Sequence, residues 1–225
     1  MSNDWNGGLN SVFKCLGASS HTEKESEPND YYATSPEAID LLFDSNNFVR
    51  PRFVWECACG EGHLAKRLAD FGCNVYSSDL VDRGFGTGGV DFLKQVEMPF
   101  SNVERCIITN PPYKYAPEFI LHALALLENG ERAVFFLKTS ALEGKKRYER
   151  LFKPFPPKMI YQFKGRVLCA KNGDFENMKK VGSAVSYAWF EWVKGYNGSL
   201  IFVGYDRCRE FVSLGKACQG AKSIT

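Results

Sequence analysis

The sequence has few of the features that mark exported, membrane-bound or zinc-binding proteins. Its eight cysteines form no CxxC pair, and the one-residue gap between Cys57 and Cys59 matches no zinc site. It has no recognisable signal peptide, and no apolar run approaches the roughly 18 residues of a membrane span. We therefore expect a cytoplasmic protein with reduced, buried thiols, no bound metal and no membrane partner.

The charges nearly cancel, with 28 Lys and Arg against 26 Asp and Glu, which gives a net charge of +2. This balance does not by itself indicate nucleic-acid binding, so any basic surface would have to be local. The 225 residues, 44% of them hydrophobic, suit one α/β domain with modest additions. We divide the chain into a flexible arm (1–27), a domain (28–206) that contains an inserted basic loop (164–182), and a tail (207–225).

Around Asn110, an apolar run is followed by the polar amide side chain of Asn110, then by two prolines and a tyrosine. Residues 105–109 predict a short buried strand, and Pro111 keeps Asn110 out of the helical region. The Asn110 side-chain oxygen and the Pro111 carbonyl can both accept hydrogen bonds from an exocyclic amino group on a planar base, and Tyr113 can stack on its ring. A plain turn is the alternative, because Asn-Pro and Pro-Pro pairs are common in loops.

A second informative stretch is a buried strand, residues 53–58, that runs into a Gly-x-Gly turn and a helix. Gly60 and Gly62 let the backbone pass close to a ligand. Glu56 lies at the end of the strand, facing the crevice in which open α/β sheets bind ligands. The turn lacks the third glycine of a dinucleotide-binding fingerprint and the Lys-Ser/Thr of a P-loop, so on its own it indicates little.

Two acids follow at positions that suit a nucleoside. Asp79 ends the next predicted strand, roughly twenty residues beyond the glycines, where an acid can bind both ribose hydroxyls. Asp91 could accept a hydrogen bond from an adenine amino group, with Phe92 alongside. Each acid taken singly is more often an ordinary loop carboxylate, and it is their order along the chain that favours a binding function.

Together these motifs resemble the ordered motifs of the class I S-adenosylmethionine-dependent methyltransferases. The resemblance is strongest to the DNA adenine-N6 methyltransferases, in the small form typical of phages. Upstream, Tyr31-Tyr32-Ala33-Thr34-Ser35-Pro36 resembles the family's N-terminal cofactor motif, an aromatic residue followed by Thr-Pro, with Ser35 inserted. The resemblance covers residues 29–205.

The resemblance implies a Rossmann-like, doubly wound α/β fold, with a mostly parallel seven-stranded sheet and an antiparallel edge strand. It implies transfer of a methyl group from S-adenosylmethionine to adenine N6 in DNA. The implied catalytic residues are Asn110, Pro111, Pro112 and Tyr113. The implied cofactor-binding residues are Tyr32, Thr34, Glu56, Ala58, Gly60, Gly62, Asp79, Asp91, Phe92 and Asn110.

Two basic stretches are candidates for contact with nucleic-acid phosphates. The first is Lys145, Lys146 and Arg147, which could equally be a solvated helix face. The second is the 164–182 loop, with Lys164, Arg166 and Lys171. Farther on, Asn197-Gly198 between two apolar runs predicts a β-hairpin of residues 183–194 and 200–205.

Three other functions remain open from the sequence. RNA adenine methyltransferases use the same Asn-Pro-Pro-aromatic motif. Protein glutamine methyltransferases use it too, because the nitrogen of an amide is also planar, but they are less in keeping with this chain. The third is a non-catalytic subunit that binds S-adenosylmethionine. We expect no separate target-recognition domain, which leaves three alternatives: loose sequence specificity, a short site read by the 164–182 loop, or dependence on a partner. The candidate partners are a second copy in a homodimer and an accessory specificity subunit.

Overall fold

The computed structural model describes residues 31–101, 103–171, 173, 175–176, 185–205 and 211–213. The predicted arm, residues 1–27, lies outside the described residues. The same holds for parts of the 164–182 loop and for most of the predicted tail, 207–225.

Eight strands form the main sheet and two more form a separate ladder. The main sheet contains β2 (Phe53–Glu56), β3 (Asn74–Ser77), β4 (Arg105–Thr109), β5 (Arg132–Lys138), β6 (Met159–Phe163), β8 (Tyr187–Val193), β9 (Ile201–Tyr205) and β10 (Phe211–Ser213). Their spatial order is β10-β9-β6-β8-β5-β4-β2-β3. The separate ladder pairs β1 (Tyr32–Thr34) with β7 (Cys169–Lys171) in antiparallel fashion.

Helices cover both faces of the main sheet. They are α1 (Glu37–Phe43), α2 (His63–Asp70), α3 (Ala116–Leu126) and α4 (Lys145–Arg147), which continues as a π-helical segment (Tyr148–Phe152). Short 3₁₀ helices lie at Phe92–Lys94, Tyr113–Tyr115 and Thr139–Leu142. Within the described residues, no helix has the length and apolar character needed to cross a membrane.

Strand β5 shows how the core is divided between the two faces. Successive side chains of a strand point to opposite faces, and all the apolar side chains of β5 are buried. Phe135 joins the cluster that contains α3, whereas Phe136 joins the cluster that contains α1 and α2. A strand covered on both faces reads as a continuous apolar run, as expected for the interior of a parallel sheet.

The predicted fold class, a mostly parallel, doubly wound α/β sheet, is confirmed. Six of the main-sheet strands run parallel, and β8 and β10 run antiparallel to them. The sheet has eight described strands instead of seven. Its antiparallel edge strand, β10, falls within residues 207–225, which the sequence suggested to be a tail.

The predicted hairpin of residues 183–194 and 200–205 is wrong. Strand β8 pairs with β5 on one side and with β6 on the other. Strand β9 pairs with the far side of β6 and runs parallel to it. Because both edges of β8 are occupied, the segment after β8 crosses to the other side of β6 before β9 begins.

Candidate active site

Three predicted site residues meet at one edge of the sheet because β2, β3 and β4 are parallel neighbours. Glu56 is the last residue of β2, Asp79 follows β3 by two residues, and Asn110 directly follows β4. The carboxyl ends of parallel strands share one edge, which is where open α/β sheets bind ligands. The topology therefore unites residues that are far apart in the sequence.

The Asn110 amide is held in one orientation. Its Nδ2 donates to the backbone carbonyl of Tyr32 at 2.9 Å and lies 3.7 Å from the Cys169 sulfur. A reversed amide would place its oxygen against that carbonyl, and two acceptors repel. Oδ1 is buried, and no residue in the described part of the chain donates a hydrogen bond to it. The amide thus offers an acceptor that still lacks a donor, which is rare for a buried polar atom.

Tyr113 lies in a group of aromatic rings beside Asn110. Its ring centroid is 6.0 Å from that of Tyr187, with the planes nearly parallel at 27°, and 6.2 Å from that of Tyr32. Its hydroxyl is 3.5 Å from the Cys169 sulfur, and burial raises its pKa well above the usual value. Tyr187 therefore already packs against the Tyr113 ring, and a base that stacks on Tyr113 must contact a different part of that ring.

Pro111 and Pro112 fix the path of the chain between Asn110 and Tyr113. Pro111 is buried. The carbonyl of Pro112 accepts a hydrogen bond from the Tyr115 amide at 2.8 Å, which closes a 3₁₀ turn. Proline fixes φ and has no N–H donor, so this corner is stiff. Pro112 therefore shapes the loop, since its carbonyl is engaged in the turn.

Glu56 is a fully buried carboxyl group. The Thr109 hydroxyl donates a short hydrogen bond to Oε1, and the Ala58 amide lies 3.4 Å from the same oxygen. Oε2 is buried and receives no hydrogen bond from any described residue. Loss of solvation on burial raises the pKa of Glu56 to about 8, against the effect of the Thr109 hydrogen bond. Burial therefore favours the neutral form of Glu56, and Oε2 is left without a hydrogen-bond partner among the described residues.

Aromatic rings cover the Gly-x-Gly turn. Gly60 and Gly62 have φ values of +55° and +82°, in the left-handed region that favours glycine. A Cβ atom at Gly60 would collide with the Tyr31 ring, and one at Gly62 would collide with the Phe85 ring. The sequence predicted that a ligand passes close to these glycines, and the structure shows two rings of the protein packed against them.

Asp79 ties the end of β3 to this turn. Its Oδ2 accepts a hydrogen bond from the Gly60 amide at 2.8 Å, and its Oδ1 accepts one from the Val81 amide at 2.9 Å. Arg83 forms an ion pair with Oδ1 at 3.4 Å and places its guanidinium 4.5 Å from the Tyr31 ring centroid. Each carboxylate oxygen has two lone pairs, so Oδ1 is fully used and Oδ2 can accept one further hydrogen bond from a ligand.

The structure contradicts the predicted role of the Phe92 ring. Phe92 is 2% exposed and packs against Trp55 and Phe119, with centroid distances of 5.1 and 4.9 Å. The ring belongs to the core and cannot meet a bound adenine. Asp91 accepts a hydrogen bond from the Leu93 amide at 3.1 Å and forms an ion pair with Lys94 at 3.0 Å. Asp91 therefore caps the N-terminus of the 3₁₀ helix Phe92–Lys94. Its predicted contact with adenine would be a second role of the same carboxylate.

The N-terminal motif reaches Asn110, a predicted catalytic residue, through the β1–β7 ladder. Tyr32 pairs with Lys171, and Thr34 pairs with Cys169. This pairing sets the Tyr32 carbonyl against Asn110 and buries Thr34, which is 2% exposed. The predicted inserted loop, 164–182, therefore contributes a strand to the site.

The basic candidates separate into exposed and buried residues. Lys145, Lys146, Lys164 and Arg166 are exposed, whereas the side chain of Lys171 lies outside the described part of the structure. The prediction that Arg147 contacts phosphate is wrong, because Arg147 is 2% exposed. Its Nη1 lies within hydrogen-bonding distance of the carbonyl oxygens of Ser140, Ala141 and Glu143, at 2.8, 2.5 and 2.7 Å, so its two N–H groups are shared among three acceptors. Arg147 therefore stabilises the segment that precedes α4, residues 140–143.

Sequence reasoning missed three residues of the corner. Cys169 and Tyr187 contact the predicted catalytic residues, and Lys138 places its Nζ 5.0 Å from the Tyr113 ring centroid. The sequence could have indicated Lys138, because this charged residue ends an apolar strand, β5. That strand pairs with β4, so Lys138 and Asn110 lie at the same edge of the sheet. Cys169 and Tyr187 carried no such signal, since each fits an ordinary buried strand.

Solved structures share this architecture. A Listeria monocytogenes protein, described as a class I S-adenosylmethionine-dependent methyltransferase, superposes with a TM-score of 0.52 and 11% identity, over 88% of this chain and 71% of that chain. A Vibrio vulnificus protein, described as a modification subunit of a type I restriction enzyme, gives 0.51 and 11% identity, over 81% of this chain and 48% of that chain. No family model and no curated protein sequence matches this chain.

Such low identity carries information on the fold alone. The mixed, mainly parallel α/β sheet of this chain agrees with the TM-scores of these two superpositions, which are just above 0.5. The chain therefore has the class I S-adenosylmethionine-dependent methyltransferase fold.

Proposed function

We propose that this protein transfers a methyl group from S-adenosylmethionine to the N6 amino group of adenine, with DNA as the first-choice substrate. The observation that carries the proposal is Asn110 Oδ1, a buried acceptor that lacks a donor among the described residues. It lies where β4 ends, at the edge of the sheet that also holds Glu56 and Asp79. An incoming amino group would supply the missing donor.

An acceptor of this kind suits an aromatic amine. The lone pair of an adenine amino group is delocalised into the ring, which makes the nitrogen a poor nucleophile. Hydrogen bonds from the amino group to Asn110 Oδ1 and to the Pro111 carbonyl would draw the nitrogen toward tetrahedral geometry and free the lone pair. The proton can leave after the new bond has formed, so the site requires no strong base.

The residues around Glu56 fit the cofactor. The unsatisfied Oε2 of Glu56 suits the ammonium group of a methionine moiety, because an opposite charge favours the ionised carboxylate. Asp79 Oδ2 retains one lone pair for a ribose hydroxyl, and Gly60 and Gly62 adopt the left-handed conformations of the adjoining turn. When bound, S-adenosylmethionine supplies a methyl group on a positively charged sulfur. The protein holds the two reactants in line, and such positioning can supply much of the rate.

A nucleic-acid substrate is favoured by the exposed basic residues near this edge, because lysine side chains attract the phosphate backbone. Lys164 directly follows β6, which runs parallel to β4, so Lys164 and Asn110 leave the sheet at the same edge. Lys145 and Lys146 begin α4 after β5 and its following turn. In a duplex, the target base would have to leave the stack to reach Asn110.

Replacing Asn110 by alanine tests the proposal. We expect Asn110→Ala to lower the rate of methyl transfer by about 100-fold or more, the usual cost of removing one group that stabilises a transition state. The dissociation constant for S-adenosylmethionine, measured by titration calorimetry, should stay close to the wild-type value. Asn46→Ala, at an exposed asparagine after α1, is the matched control and should keep full activity. Near-normal turnover by Asn110→Ala would contradict the assignment.

A further inference from the structure

The Cys169 thiol lies among the groups that form the proposed amine-binding corner. Its sulfur is 3.7 Å from Asn110 Nδ2, 3.5 Å from the Tyr113 hydroxyl and 3.9 Å from the Tyr32 carbonyl oxygen. These are the distances of hydrogen bonds that involve sulfur. Cys169 therefore contacts both side chains that the proposed function places on the target base.

Two further hydroxyl groups complete this cluster. The side chains of Thr34 and Tyr187 also lie beside Cys169, and the Thr34 hydroxyl has no hydrogen-bond partner among the described residues. Burial raises the pKa of the Cys169 thiol, which keeps it protonated. A protonated thiol is both a weak donor and a weak acceptor, so it can serve several polar neighbours at once.

The position of Cys169 is set independently of the position of Asn110. Cys169 begins β7 and pairs with Thr34 of β1, whereas Asn110 leaves the main sheet after β4. The thiol is thus a contact between the small ladder and the main sheet. A hydrocarbon side chain in its place would leave one Asn110 N–H and the Tyr113 hydroxyl with fewer partners, and buried polar groups without partners cost free energy.

We propose that Cys169 is a positioning residue, which holds the Asn110 amide and the Tyr113 ring in the arrangement that receives the target amine. The proposal rests on the proposed function and adds a residue from a part of the chain that the catalytic motif does not include. The Tyr32 carbonyl fixes one Asn110 N–H, and Cys169 fixes the direction of the other. Together they keep Oδ1 directed away from both groups, toward the target.

Serine and alanine variants at this position separate polar positioning from simple packing. Cys169→Ala removes the donor and acceptor, whereas Cys169→Ser retains both on a smaller atom. We expect Cys169→Ala to lower kcat by about 10-fold or more, because small displacements of reacting groups have large effects on rate. Its dissociation constant for S-adenosylmethionine should change little. Cys169→Ser should recover most of the lost kcat.

Cys73→Ala is the matched control. Cys73 is also a buried free thiol, but its sulfur contacts the Pro51 carbonyl, at 3.1 Å, after the end of α2. The control should keep the wild-type kcat even if its melting temperature falls. The proposal would be overturned by a wild-type kcat in Cys169→Ala, or by losses of kcat in Cys73→Ala and Cys169→Ser as large as in Cys169→Ala.

The wild-type protein distinguishes this inference from the proposed function. Methyl transfer by the wild type is measured first, with labelled S-adenosylmethionine and DNA. No transfer while the cofactor still binds would overturn the proposed function and, with it, the role of Cys169. Transfer by the wild type together with a fully active Cys169→Ala would overturn the role of Cys169 alone.

Discussion

At the scale of single residues, Glu56 links protein stability to pH. Burial raises the pKa of Glu56 to about 8, from an ordinary value of 4.5. Between these two pH values, the folded protein holds a proton on Glu56 that the unfolded chain has lost. By linkage, the stability that Glu56 contributes is greatest below the lower value and falls as pH rises toward the upper one.

Replacing Glu56 by glutamine should remove this dependence. We expect the free energy of unfolding of Glu56→Gln, relative to the wild type, to rise between pH 5 and pH 8, by up to about 1.4 kcal/mol per pH unit. Urea denaturation of both proteins at four pH values in that range provides the measurement. A difference that stays constant with pH, or that falls, would show that Glu56 is not held in its neutral form.

The residues of the site differ in how far the sequence could predict them. Asn110 was recognisable because two prolines and a tyrosine follow an apolar run, and that pattern is local. Cys169 was not, because its role depends on a ladder with β1 and on a contact with Asn110 across 59 residues. Phe92 was misread because an aromatic residue next to an acid fits a ligand contact and a core position equally well.

At the scale of secondary-structure elements, the turn between β2 and α2 depends on Gly62 for two separable reasons. Gly62 adopts a φ of +82°, and a Cβ there would also collide with the Phe85 ring. Gly72, after α2, adopts a nearly equal φ of +84°, but a Cβ there would meet no atom within 4 Å. The two glycines share the backbone requirement and differ in the space around them.

Alanine substitutions at these two glycines should therefore have different effects. Gly72→Ala should cost about 1–2 kcal/mol of unfolding free energy, from backbone strain alone, and leave the affinity for S-adenosylmethionine unchanged. Gly62→Ala should cost more, because the Phe85 ring must also move, and should weaken cofactor binding. Urea denaturation and titration calorimetry supply the two quantities. Equal effects of the two substitutions would contradict this account of the turn.

Strand β8 shows why the sequence could predict an element but not its neighbours. Its seven residues are nearly all buried, and they form an almost continuous apolar run. Such a run is typical of a strand that is covered on both faces and lies inside a sheet. The Asn197-Gly198 signal favoured a hairpin, but local turn chemistry does not determine which strand occupies each edge of β8. The pairing with β5 and β6 is a non-local property.

At the scale of the whole molecule, the parallel order of β3, β2 and β4 makes one site from three distant segments. Glu56 and Asp79 provide the proposed cofactor contacts, and Asn110 provides the proposed amine contact at the same edge. The pattern of ordered motifs predicted the fold class, through its resemblance to a known methyltransferase family. The β1–β7 ladder, which adds the N-terminal motif and Cys169, had no counterpart in that pattern.

The central claim is that a methyl group is transferred to adenine N6 in DNA. It is tested most directly by incubating the wild-type protein with tritiated S-adenosylmethionine and unmethylated duplex DNA or RNA, digesting the nucleic acid and separating the nucleosides. We predict label in N6-methyldeoxyadenosine, and none there for Asn110→Ala. Label confined to RNA nucleosides, or no label in any nucleoside while S-adenosylmethionine still binds, would contradict the claim.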